Sequence, residues 1–155
     1  MGRPKRPGIH RGVRETASTA YAAKALEGLT AVVLDSDIVI DWLRGEPRIS
    51  SALGALEDAG VRTYCTPVTW AEVWAGVRRG EEHVTESFFE ARGTLLLDAA
   101  VGRRAGEYLS RFAKSHALDL ADALIAAAAS VNAMPLWTRN RKHYPMSDLR
   151  FYESR

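Results

Sequence analysis

Disulfide chemistry is excluded by count. Of 155 residues only Cys65 is a cysteine, so no bridge can close within one chain, which fits a reducing cytoplasm. Cys65 stands in VRTYC, a strand candidate, where a small buried apolar role outweighs a reactive thiol. Long apolar runs are missing too. No stretch approaches the roughly 20 residues that a membrane-spanning helix needs, and the basic N-terminus lacks the apolar core of a secretory signal. The chain is therefore expected in the cytoplasm, with no membrane partner. Charge of one sign is equally scarce: the formal net charge is +2, so overall charge names no partner. The excess that exists is local. Residues 1–28 hold six basic side chains against two acidic ones, and the remainder holds 15 basic and 17 acidic ones. No internal repeat is visible, and low complexity is confined to that tail.

What is present suffices for one domain. Apolar residues make up 46% of the chain, enough for a core at this length. Residues 1–29 read as a basic, flexible extension, either a nucleic-acid-contacting arm or a solvated tail, in which TASTAYAAKALEGL can form a short helix. Residues 30–155 read as the folded domain. AVVLD (31–35) is a short apolar strand, and helical spacing follows in SDIVIDWLRG, with Gly45 as the stop. A helix is expected from Pro47 to Gly60, with Ile49, Leu53 and Leu56 on one face. VRTYC (61–65) is the second strand. Thr66 then caps and Pro67 opens a helix running through Trp70, Val73, Trp74 and Val77 to Gly80. Residues 81–92 form another helix, and TLLL (94–97) the third strand. Asp98 caps a helix whose apolar face holds Val101, Ala105, Tyr108 and Phe112. Residues 119–133 form a strong Ala-rich helix, and LWT (136–138) and LRFYE (149–153) are the last strands. Short strands alternating with amphipathic helices predict an α/β fold with a mostly parallel sheet. Ligands of such folds bind outside the carboxyl ends of the strands.

Three acids stand at such places. Asp35 ends the first strand, Glu72 lies in TPVTWAEVWAGVRRG, and Asp122 opens the helix of HALDLADALIAAAA. Carboxylates beside apolar runs are costly to bury uncompensated. One divalent cation compensates three at once, and magnesium accepts hard oxygen ligands while keeping several waters. Each acid also has an ordinary role available: Asp35 or Asp122 as a helix cap, Glu72 as a solvated charge. Glu72 is mid-helix, however, where no cap role exists. Asn140 adds a carbonyl oxygen or a hydrogen bond to a coordinated water. Asp119, three residues before Asp122, shares its helical face and is read as the cap of that helix. Asp37 is read as the cap of the first helix, and Asp41 as a solvated charge.

Taken in order, VVLDSDIVIDWLRGE, TPVTWAEVWAGVRRG, HALDLADALIAAAA and PLWTRNRKHY resemble a PIN-domain ribonuclease of the VapC toxin type. The resemblance covers about residues 31–153. It implies a three-layer α/β/α domain, a divalent metal (Mg2+, with Mn2+ as the alternative), and endonucleolytic cleavage of structured RNA, with tRNA or rRNA loops as the target class. It also implies a homodimer and a small cognate VapB-like antitoxin. Carried over, Asp35, Glu72 and Asp122 match the family's three acidic positions, and Asn140 falls where many PIN nucleases place a fourth acid. His143 stands where an Asp often follows the TRN motif, which removes a carboxylate. The segment before Thr30 has no counterpart.

Around these positions Ser36 can hydrogen-bond a metal ligand or the scissile phosphate, and Arg139, Arg141 and Lys142 can neutralise RNA phosphates. Arg78 and Arg79 end the Glu72 helix, where basic side chains suit the dipole. Trp42, Trp70 and Trp74 are read as core or interface, the last two packing on one face with Val73 and Val77. His116 and His143 are read as surface or hydrogen-bonded residues, because metal-assisted hydrolysis to a 5′-phosphate and a 3′-hydroxyl needs no histidine acid–base pair. Two other readings stay open: an RNA-processing PIN nuclease without an antitoxin, and a catalytically silent RNA- or protein-binding module.

Overall fold

A computed structural model describes residue 24 and residues 26–154. The expectations for the basic extension fall mostly on residues 1–23, outside the described residues. Four strands form one sheet: β1 (Ala31–Leu34), β2 (Arg62–Cys65), β3 (Gly93–Thr94) and β4 (Leu136–Trp137). Their order is β3-β2-β1-β4, and every pairing is parallel. The helices are α1 (Ser36–Leu43), α2 (Pro47–Asp58), α3 (Pro67–Ala75), α4 (Glu82–Glu90), α5 (Ala99–His116) and α6 (Leu120–Val131).

Both faces of the sheet are covered, and β1 shows why. Val32, Val33 and Leu34 are all fully buried, as an inner parallel strand requires. Successive side chains point to opposite faces. Val32 and Leu34 join a core with Ile38, Leu53, Leu56, Val73 and Phe88, from α1 to α4. Val33 joins a second core with Val101, Ala105, Ala126 and Leu136, against α5 and α6. The result is a three-layer α/β/α domain. Small side chains set the second layer: Ala123 and Ala126 to Ala129 are fully buried, so α6 lies close against its neighbours.

The strand order places the functional end. From β1 the chain builds outward through β2 to β3, then crosses back to pair β4 on the other side of β1. The carboxyl ends of β1 and β4 therefore flank the point where the winding reverses, the usual ligand crevice of such sheets. Residues after β1 and after β4 meet there.

Several boundaries differ from expectation. β3 occupies Gly93–Thr94, and TLLL contributes only Thr94 to it. Its partner β2 stops at Cys65 because Thr66 and Pro67 start α3. The ladder ends with the Leu95 amide on the Cys65 carbonyl at 2.9 Å, and Leu96 beyond is 75% exposed. LRFYE reduces to a single parallel bridge of Phe151 with Leu136, since β4 offers only two residues for pairing. α3 ends at Ala75, capped at Gly76, and does not reach Gly80. Asp37 does not cap α1; Asp35 does, accepting from the Ser36 amide. Trp70 stacks on Phe89 (4.1 Å, 19°) and Trp42 packs on Phe88, but Trp74 is 44% exposed, because α3 presents that position outward. Cys65 is buried, and burial pushes its thiol up to about 12.

After β4 the chain forms a short 3-10 turn, Arg141–His143, and then runs beneath α5 and α6 with Tyr144, Met146 and Leu149 in the core. One carboxylate anchors this run. Asp148 Oδ2 accepts from Arg104 (2.8 Å) and Tyr108 Oη (2.7 Å) of α5 and from Ser130 Oγ (2.9 Å) of α6. Partial burial disfavours its charge, but the hydrogen bonds and the Arg104 guanidinium win, and its carboxyl is held below the ordinary 3.8. Asp148→Ala leaves the buried Tyr108 hydroxyl without its acceptor and should cost about 1–3 kcal/mol, read by urea unfolding near neutral pH. A depressed carboxyl stabilises the fold above its unfolded value, so the gap between native and variant should shrink as pH falls below 3.8.

Candidate active site

Two helix N-termini converge at the crevice, and each carries an acid. Asp35 follows β1 directly and is the N-cap of α1: its Oδ1 accepts from the Ser36 amide at 2.7 Å. Asp122 lies in the first turn of α6, whose cap is Asp119, with Asp119 Oδ1 accepting from the Asp122 amide at 2.8 Å. Helix N-termini carry partial positive charge, which lets them tolerate carboxylates. Asp35 is only 7% exposed, and no lysine or arginine among the described residues forms an ion pair with it or with Asp122.

One hydroxyl joins the two acids. Tyr144 Oη lies 2.8 Å from Asp35 Oδ2 and 3.2 Å from Asp122 Oδ1. Glu72, exposed in the middle of α3, joins from the third direction, accepting from Ser36 Oγ. Asp35, Glu72 and Asp122 thus gather at one end of the sheet, with the Ser36 side chain bonded to Glu72. His143 faces Asp122, its Nδ1 3.7 Å from Oδ2, whereas His116 is exposed and hydrogen-bonds Ser115.

The TRN segment is drawn in by a residue read from sequence only as a cap. Asp37 Oδ2 accepts from the Arg139 amide at 2.9 Å and lies 3.5 Å from Thr138 Oγ1. Its Oδ1 is buried with no hydrogen-bond partner. Asp37 therefore clamps the exit of β4 to α1. Asp41 is not a solvated charge: it pairs with Arg139, and its side chain is 16% exposed. Arg141 pairs with Glu153 and lies over the Phe151 ring. Among the basic candidates Lys142 stands exposed without an ion pair among the described residues. Asn140 is exposed; its amide donates to Thr138 Oγ1 at 3.0 Å, and its side chain does not cap the 3-10 turn. It is not tied to the three acids.

Gathering carboxylates has an electrostatic cost. Burial, with Asp119 and Asp35 nearby, pushes Asp122 up to about 6 despite the Tyr144 hydrogen bond. Burial and the Asp35 charge push Asp37 up to about 6 as well. Burial and the two adjacent acids drive the Tyr144 hydroxyl far above its ordinary value, so it stays a neutral donor. Among the described residues no three Asp, Glu, His or Cys side chains form a ready-made ligand cage. The donors are nevertheless hard oxygens, with an orphaned buried Asp37 oxygen, the Tyr144 hydroxyl between Asp35 and Asp122, and the Ser36 hydroxyl on Glu72. That set fits an ion which binds through one or two carboxylates and keeps most of its water.

Residues 32–149 match the family model of the PIN domain. The chain belongs to the PIN-domain family. Among its relatives, this PIN domain is 36% identical to Ribonuclease VapC19 of Mycobacterium tuberculosis over 115 residues, 74% of this chain and 92% of that protein. It is 31% identical to Ribonuclease VapC10 of the same organism over 116 residues, 74% of this chain and 86% of that protein. It therefore groups with the VapC-type ribonucleases. The DNA-bound VapBC from Salmonella typhimurium covers 80% of this chain, and 98% of that chain is matched, with a TM-score of 0.68. At 18% identity that likeness speaks for the fold. Among the described residues no helix is long and apolar enough to cross a membrane.

Tyr144 and Asp37 were not legible as site residues. Tyr144 closes the PLWTRNRKHY stretch, but its partners lie 109 and 22 residues away. The raised Asp122 value has a measurable sign. Between the unfolded 3.8 and about 6 the folded PIN domain holds a proton that the unfolded chain has lost, so stability falls as pH rises through that window. In chelator, Asp122→Asn should gain in melting temperature relative to the native protein from pH 4 to pH 6 and hold its gain above. A constant difference across that range would show that Asp122 titrates normally.

Proposed function

We propose that the protein is the toxin of a VapBC-type pair: a divalent-metal-dependent endoribonuclease, with Mg2+ or Mn2+ as its ion, restrained by a small cognate antitoxin. The observation that carries this reading is the convergence of Asp35 and Asp122 on one Tyr144 hydroxyl, with Glu72 reached through Ser36. Acids placed this close, with no lysine or arginine paired to them among the described residues, suit a cation better than they suit a binding module. Asp35, Asp122 and Glu72 would hold that cation. When bound it supplies an activated water at neutral pH and polarises the phosphate.

The chain's own groups do the rest. Lys142 is available for phosphate contact, and Arg141 can join it, since its exposed pair with Glu153 holds by about 0–1 kcal/mol and exchanges readily. Arg139, held by the largely buried Asp41, adds its charge from a fixed position. Asn140, exposed beside them, is placed to hydrogen-bond substrate or ordered water. Hydrolysis then breaks the P–O3′ bond as water adds to phosphorus. The 3′-oxygen takes up a proton, leaving a 5′-phosphate and a 3′-hydroxyl. The exposed basic loop beside the acids suits unstacked bases in a tRNA or rRNA loop.

A separate feature suits the antitoxin. Between α1 and α3 a small pocket of about 70 Å³ is lined by Ile40, Leu43, Val73 and Val77, with Arg44, Arg78 and Glu81 also in its wall. Its apolar lining suits a single apolar side chain anchored from an antitoxin segment. A homodimer completes the reading by kinship alone.

The test pairs activity with rescue. Asp35→Asn should lower RNA cleavage in magnesium or manganese by about 100-fold or more while the fold persists, read by mapping new 5′ ends after brief induction. Equal cleavage by native and variant protein would remove the nuclease reading. Co-expression of the neighbouring small reading frame should relieve growth arrest, and arrest that persists would remove the antitoxin.

A further inference from the structure

Tyr144 is a buried polar side chain that ordinary packing does not account for. It is 3% exposed. Its ring packs edge to face with Phe151, and its amide is held by the Arg141 carbonyl at 2.9 Å. A ring enclosed in this way delivers its hydroxyl to a fixed point. That point lies between two carboxylates from opposite halves of the domain. Asp35 then has a donor on each oxygen, the Ser36 amide on Oδ1 and Tyr144 on Oδ2, so its carboxylate plane cannot turn. Asp122 is less constrained. Beyond Tyr144, its carboxylate meets only the His143 ring among the described residues, at 3.7 Å.

Tyr108 gives a contrast within the same molecule. It is as deeply buried, at 2% exposure, and donates to one carboxylate that Arg104 also neutralises. That arrangement is complete as it stands. The Tyr144 arrangement is incomplete, because one neutral proton faces two acids. Hydrogen-bonded partners of metal-ligating carboxylates fix ligand orientation, and their loss lowers metal affinity by about 10–100-fold.

We propose that Tyr144 is a positioning residue for the divalent cation: its hydroxyl holds the Asp35 and Asp122 carboxylates in one shared orientation and so sets how tightly the ion binds. This rests on the metal reading above. Ion affinity is then governed by a residue that needs no contact with the ion. Tyr144→Phe keeps the ring and the packing and removes only the donor.

The experiment is calorimetric titration of the full chain with manganese near pH 7, for the native protein, Tyr144→Phe and Tyr108→Phe, with melting temperatures measured in chelator. Tyr144→Phe should weaken manganese binding by about 10-fold or more. Tyr108→Phe should lower the melting temperature and leave manganese affinity as in the native protein. Native-like or tighter binding by Tyr144→Phe overturns the inference while the metal reading stands. Equal weakening in both variants also overturns it, because the effect would then be general loosening. No binding by the native protein overturns the metal reading and this inference together.

Discussion

Negative charge concentrated with no lysine or arginine paired to Asp35, Asp37 or Asp122 among the described residues is the constraint around which this domain is arranged. Asp35, Asp37 and Asp122 sit at the carboxyl end of the sheet, with Glu72 reached through Ser36, and burial with mutual repulsion pushes Asp37 and Asp122 well above the usual carboxylate range. The fold offsets this by indirect means. Asp35 caps α1, and Asp122 occupies the first turn of α6, so two helix dipoles point positive ends at the acids. Hydroxyls of Ser36 and Tyr144 stand where charge compensation is needed. The proposed cation would supply the remaining compensation.

The sheet makes that concentration possible. Parallel strands put all their carboxyl ends on one side, and the winding reverses at β1, so the segments after β1 and β4 meet there. β1 is buried on both faces, so its position is set by two independent cores. The segment after β4 then closes the site. Asp37 holds its start through the Arg139 amide, and Asp148 holds its far end against α5 and α6. Tyr144 lies between these two anchors, which is why a side chain remote in sequence can place an oxygen between Asp35 and Asp122.

The parts legible in the sequence were those with short-range signatures. Thr66 followed by Pro67 announces the start of α3, the Ala-rich run after Asp119 announces α6, and Asp98 announces α5. Asp35, Glu72 and Asp122 stood out because charged residues beside apolar runs need an explanation. Less legible were ends decided by a neighbour. β3 stops where β2 stops, and Phe151 pairs through a single bridge because β4 is two residues long. The ordinary reading of Asp37 as a cap failed for a related reason: Asp35 already held that role, which left Asp37 for a partner 102 residues away.

By itself the sequence determined the alternation of strand and helix, the membership of the PIN-domain family, and which acids stand beside apolar runs, because periodicity, capping chemistry and motif order are local or linear properties. Tertiary structure alone decided what the acids experience. Burial, the approach of unlike segments, and the Tyr144 hydroxyl shared between Asp35 and Asp122 depend on distances through space. Electrostatic energy follows those distances, and separation along the chain does not encode them.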